Sequence, residues 1–224
     1  MKEKFFGFYP PNEDEIKDIW ENGLIAFDAN TLLNLYRYSK ETRKDFIDTI
    51  TEYKDRIWLP FQAGYEFHSN RISVIKSQEE AYSEIGKKLD EHFSKIEKEL
   101  KQYRRHPLIS IEKINKEIST KFNKIKSDLV KQSEKHPEYL KNDAILPEIT
   151  KLFKDKVGDN YSESELNEIY DEGEIRYDKK IPPGFSDIAE KKNKGKRKLY
   201  GDLIVWKQLI RKSKSSKEHH NLCY

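Results

Sequence analysis

Two narrow apolar stripes constrain this chain more than any other feature. Ile85, Leu89, Phe93, Ile96, Leu100 and Tyr103 recur at steps of three or four residues. After the break "RRHPLIS", Ile111, Ile114, Ile118, Phe122, Ile125 and Leu129 resume the same spacing. Such steps line one face of an α-helix. Each stripe is flanked by Lys and Glu, and so narrow a seam buries itself best against another of its kind. The spacing therefore predicts two antiparallel helices packed as a coiled-coil hairpin over residues 78–136. Residues 1–77 and 137–224 remain to build one core. Composition agrees, because 35% hydrophobic against 37% charged residues is too polar for a single compact sphere. The charges of the arm read as a solvated face, with a docking surface for a partner as the alternative.

Outside the arm, the order of elements reads as α/β. Asn12 to Glu15 resembles a capping box, which opens a helix over about Glu13 to Glu21. Gly23 ends it, and the apolar run Leu24 to Phe27 is a buried strand delivering Asp28 at its carboxyl end. Helices follow, one starting at Leu32 and one carrying Phe46, Ile47 and Ile50 inward. Arg56 to Leu59 is a second strand, and Pro60 suits the first turn of a helix bearing "FQAGYEFHSNRISVI". Helix, strand, helices, strand, helix implies a parallel sheet flanked by helices. Ser162 to Glu165 is a second capping box, and "LYGDLIVWKQLI" reads as a last amphipathic helix ending near Lys212.

Several classes are excluded or disfavoured. The single Cys223 rules out an intrachain disulfide framework and disfavours a cysteine zinc site. No apolar run approaches the ~20 residues of a membrane span. The N-terminal apolar patch is too short for a signal peptide, so a cytoplasmic location is expected. A formal net charge of only +3 does not announce a nucleic-acid binder. One segment does so locally: "KKNKGKRK" carries Lys191, Lys192, Lys194, Lys196, Arg197 and Lys198, six basic residues in eight. With no apolar member and with Gly195, it is expected to be a mobile loop that grips a phosphate backbone, or else a solvated one.

Four acids stand where elements begin or end. Asp28 follows the first strand, Glu66 lies early in the helix after the second, Asp202 opens the last helix, and Asp187 follows the stiff turn "IPPGF". Each has a plain alternative. Asp28 and Asp202 suit helix capping, and Glu66 suits an exposed helix face. Together, carboxylates feeding one edge of a parallel sheet repel one another, and a divalent cation removes that cost. Oxygen-only donors point to Mg2+ or Mn2+.

The segments "FDANTLLNLYRYS", "LPFQAGYEFHSNR", "IPPGFSD" and "YGDLIVWKQLI", in that order, resemble the PIN-like nucleases, and more narrowly a bacterial group with a long helical insertion. The resemblance implies a Rossmann-like sheet and metal-dependent hydrolysis of RNA or DNA, with endoribonuclease activity favoured. It implies Asp28, Glu66 and Asp202 as metal ligands and Asp187 as a further acid of the site. Asn30 would support Asp28 or meet a phosphate. His68 and Arg71 share Glu66's helix, where each either faces the phosphate or has a structural role. A bacterial toxin or defence setting fits the same resemblance.

Two other readings remain. "FDANT" also resembles the strand-one motif of haloacid-dehalogenase phosphatases, but Asn30 stands where that chemistry needs a second Asp. A PIN-like domain could also be a non-catalytic scaffold. The tail bears on this, because "SKSSKEHHNLCY" predicts no strand, whereas PIN-like proteins usually place one there with a further acid. The expectation is an open sheet edge covered by a protein partner or an oligomer contact, weak metal affinity, and at most one well-occupied site.

Overall fold

The computed structural model describes residues 1–215 and 222–223. In chain order the helices and strands are α1 (Glu13–Asn22), β1 (Leu24–Ala26), α2 (Ala29–Leu33), α3 (Lys40–Glu52), β2 (Ile57–Trp58), α4 (Phe61–Leu100), α5 (Ile111–Ser133), α6 (Ile145–Leu152), α7 (Glu163–Asp178), α8 (Ile188–Lys191), α9 (Lys196–Leu199), α10 (Gly201–Ser215) and β3 (Leu222–Cys223). The chain divides into two compact units. One combines Met1–Asn70 with Ile145–Tyr224, and the other is Arg71–Ala144.

The first unit is helix-rich around a small parallel sheet of order β2-β1-β3. Ile25 pairs with Ile57 on one side of β1 and with Cys223 on the other. A bridge between Leu59 and Val157 extends the pairing beyond β2, with Leu59 N–H donating to Lys156 C=O at 3.0 Å. The sheet is much smaller than the sequence predicts, since the apolar run Leu24–Phe27 keeps only three residues in β1.

β3 overturns the expectation that no strand follows the last helix. Leu222 and Cys223 pair parallel with Leu24 and Ile25. Two residues are too few to show the alternation by which a strand is read, and a polar run precedes them. Residues 216–221 and 224 of that tail lie outside the described residues. With β3 in place, the second edge of β1 is paired and no longer calls for a partner to cover it.

Local signals placed the helices well. Asn12 and Glu15 form the capping box of α1, the side chain of each accepting the other's backbone N–H at 2.8 and 2.7 Å. Ser162 and Glu165 do the same for α7, which runs eight residues past the expected Tyr170 to Asp178. Leu166 and Ile169 of α7 pack with Leu203 and Ile204 of α10 and with Tyr161 in one buried cluster. Burying each such side chain fully contributes about 1.5–3 kcal/mol. The predicted loop "KKNKGKRK" is in part helical, with α8 and α9 on either side of a turn at Gly195, where φ is +87°. Ile188 and Leu199 flank the run, and both are partly buried.

The second unit pairs the later part of α4 with α5. Tyr82 meets His136, Asp90 pairs with Lys126 at 2.7 Å, and the Phe93 and Phe122 rings lie 5.6 Å apart. Rising numbers on one segment meet falling numbers on the other, so the two run in opposite directions. Arg71 and Asp143, both largely buried, form an ion pair within this unit.

Candidate active site

Asp28 leaves the end of β1 with an extended backbone and becomes the cap of α2. Its Oδ2 accepts the Asn30 N–H at 3.3 Å. Capping and ligation are compatible here, because Oδ1 has no partner among the described residues. The Asn30 side chain is exposed. Glu66 sits in the second turn of α4, half-buried beside the fully buried Gln62. The spacing of four residues lets the Gln62 Nε2–H donate to Glu66 Oε1 at 2.8 Å. Burial pushes the Glu66 carboxyl above its ordinary range, and the negative charges of Asp202 and Asp28 push it further. Lys191 opposes that rise, as does the Gln62 hydrogen bond. Asp28, Glu66 and Asp202 thus share one electrostatic neighbourhood, although they come from three separate segments.

Asp202 stands in the first turn of α10, where a helix N-terminus favours its charge. Lys191 Nζ lies 3.0 Å from its Oδ2 and 3.1 Å from Asp187 Oδ2. These two carboxylates hold the Lys191 ammonium well above its ordinary pKa against the effect of burial. The turn that brings them together depends on Gly184, at φ +87°. A Cβ there would meet Asp202 Oδ2 at 2.7 Å and collide with the Tyr177 hydroxyl. Tyr177 donates to the Leu199 carbonyl at 3.1 Å, and burial with the nearby Asp202 charge pushes its phenol up to about 12. A Cβ at Gly201 would run into Glu66 Oε1, so a larger residue there would shift that carboxylate.

Of the basic segment, Arg197 is built in most firmly. Its guanidinium lies 4.2 Å over the Tyr65 ring, with Nε donating to Gln62 Oε1 at 2.9 Å and Nη2 donating to Asn160 Oδ1 at 3.0 Å. Gln62 therefore joins Arg197 on one side to Glu66 on the other. Lys194 pairs with Glu190 at 3.1 Å on the surface, and Lys192, Lys196 and Lys198 have no acidic partner among the described residues. Arg71 is engaged with Asp143 in the second unit, and His68 is exposed with its ring 5.1 Å from that of Phe67. Gln62, Gln208 and Asn160 are parts of the site that the sequence reading missed. The i, i+4 relation of Gln62 to Glu66 was a usable signal. Gln208, whose Oε1 accepts the Gln62 backbone N–H at 3.0 Å, gave none.

Residues 24–222 match the family model of the PIN-like domain. The chain belongs to the PIN-like domain family. No curated protein and no solved structure matches it. PIN-like domains are generally nucleases, bind nucleic acids in general, and typically use divalent metals. In this PIN-like domain the donor chemistry fits such an ion. Asp28, Glu66 and Asp202 offer hard oxygen atoms, and the repulsion that adds to burial in raising the Glu66 carboxyl is what a cation relieves. Among the described residues, no three His, Cys, Asp or Glu side chains are grouped closely enough to hold a metal ion as they stand. No described helix is long and apolar enough to cross a membrane.

Proposed function

We propose that this PIN-like protein is a Mg2+- or Mn2+-dependent nuclease that hydrolyses phosphodiester bonds, with RNA favoured over DNA. The observation that carries this reading is the field at Glu66, whose carboxyl is raised first by burial and then by the charges of Asp202 and Asp28 from two other segments. Asp28, Glu66 and Asp202 would hold such an ion, and the chemistry it would supply there is a bound water of lowered pKa. The remaining work falls to the chain's own side chains. Gln62 fixes the orientation of the Glu66 carboxylate. Arg197, clamped by Tyr65, Gln62 and Asn160, offers its guanidinium to a substrate phosphate. Lys192, Lys196 and Lys198 follow the backbone of the nucleic acid, which makes binding salt-dependent. Residues 78–136 are, on this reading, a helical-hairpin insertion whose charged faces are open to a protein partner.

One observation favours a competing role as a non-catalytic binding module, namely that among the described residues no three acids are grouped closely enough to hold a metal ion. An assay of single-stranded RNA and DNA with Mn2+ decides between the two. Cleavage is expected with Mn2+, is lost with a chelator, and falls by at least about 100-fold in Asp202→Asn, in line with the loss of a metal-site residue. Binding without cleavage would establish the module instead.

A further inference from the structure

We infer that Lys191 is a resident cation of this site. Its ammonium, clamped between Asp202 and Asp187, takes the place a second metal ion would occupy, and Asp187 serves to hold Lys191 rather than to bind metal. The inference deepens the nuclease reading and rests on it.

An accounting of carboxylate oxygens leads there. Both oxygens of Asp187 are engaged, Oδ2 by Lys191 at 3.1 Å and Oδ1 by the Ser186 hydroxyl at 3.1 Å. Asp202 has given Oδ2 to Lys191 at 3.0 Å and keeps Oδ1. Glu66 has given Oε1 to Gln62 and keeps Oε2, and Asp28 has given Oδ2 to Asn30 N–H and keeps Oδ1. Among the described residues, then, one oxygen on each of Asp28, Glu66 and Asp202 has no hydrogen-bond partner, whereas both oxygens of Asp187 have one. The three unpartnered oxygens are the ones most open to a hydrated ion. A second dication on the outer face of Asp202 would have to displace an ammonium already bound there by two charge-assisted hydrogen bonds.

The backbone is shaped for this clamp. Asp187 precedes α8 and makes no capping bond to it, so its carboxylate is free to reach Lys191 four residues on. The left-handed turn at Gly184 brings the same segment against Asp202. Among the described residues, no other lysine of the basic run is held by two acids. An ammonium carries three N–H donors, so one remains on Lys191 for a phosphate oxygen of the substrate. In that place it neutralises charge on the phosphate, as a second ion does in two-metal sites. Unlike such an ion, it cannot be lost to dilution.

Calorimetric titration of the full chain with Mn2+ tests the inference without relying on activity. The natural protein is expected to bind one Mn2+. Lys191→Met frees Asp202 Oδ2 and is expected to bind Mn2+ about tenfold more tightly or to take up a second equivalent. Asp187→Asn loosens the clamp at a partly exposed position and is expected to bind Mn2+ no more weakly than the natural protein. It is a second test should Lys191→Met fail to fold. Two Mn2+ ions in the natural protein would overturn the inference and leave the nuclease reading standing. So would unchanged binding in Lys191→Met, or a tenfold loss of affinity in Asp187→Asn. If none of the three proteins binds Mn2+, the metal-dependent reading itself fails, and the inference with it.

Discussion

Glu66 is held where its charge is disfavoured. Its carboxyl is raised mainly by burial and then by Asp202 and Asp28, so the folded chain resists ionising it more than the unfolded chain does. The sign of the linkage follows. Above the folded pKa, the ionised Glu66 costs stability, and below the unfolded value of about 4.3 the group is neutral in both states and costs nothing. Glu66→Gln should therefore melt at a higher temperature than the natural protein at pH 7. The advantage should fade as pH falls through the raised pKa and be gone below about pH 4. Melting curves across pH check this, and an equal or lower melting temperature at pH 7 would contradict the assigned field. Mn2+ affinity should fall over the same pH range, because protonation of Glu66 removes a donor. A second residue-scale test is Gly184→Ala. It forces a Cβ into the left-handed region and against Asp202 and Tyr177, and should cost about 1–3 kcal/mol in urea unfolding.

Elements were legible in proportion to how locally they are determined. Both capping boxes could be read because four neighbouring residues contain the whole interaction. Ser162→Ala removes the oxygen that accepts the Glu165 N–H and should cost about 1 kcal/mol, read as a lower urea midpoint. The acids were legible as residue types at element ends, and their field at Glu66 is what the structure adds. β3 was illegible because its evidence is a partner strand about two hundred residues away, not a pattern within "NLCY". The basic segment was read as a loop because it has nothing apolar of its own. Of its two best-held members, Arg197 is fixed by amides and a tyrosine ring that no local window contains, and Lys191 by an acid four residues back and another eleven residues on.

At the scale of the whole molecule, the stripes at 85–129 marked the second unit, but its limits, Arg71–Ala144, reach beyond the periodic residues. The reason lies at its base, where Arg71 and Asp143 are paired and largely buried. A single basic residue on a helix gave no hint of this. Arg71→Met should cost about 3 kcal/mol, since it removes one partner of a largely buried ion pair. The loss should appear as a lower melting temperature, with nucleic-acid affinity unchanged once the variant is folded. A selective loss of affinity in a stable variant would return Arg71 to the substrate.

Gln62 has a consequence for sequence change. One end of its amide faces an acid and the other a guanidinium, and its backbone is tied to Gln208. A planar group occupied at both ends cannot be turned over to suit a new neighbour. Losing the acceptor oxygen at 66 strands the amide's NH2, and losing the arginine at 197 strands its carbonyl. Exchanges that remove these partners should therefore be tolerated together and rejected singly. In a library randomised at positions 62, 66 and 197 and selected for stable folding rather than activity, the survivors should show linked triplets rather than three independent profiles.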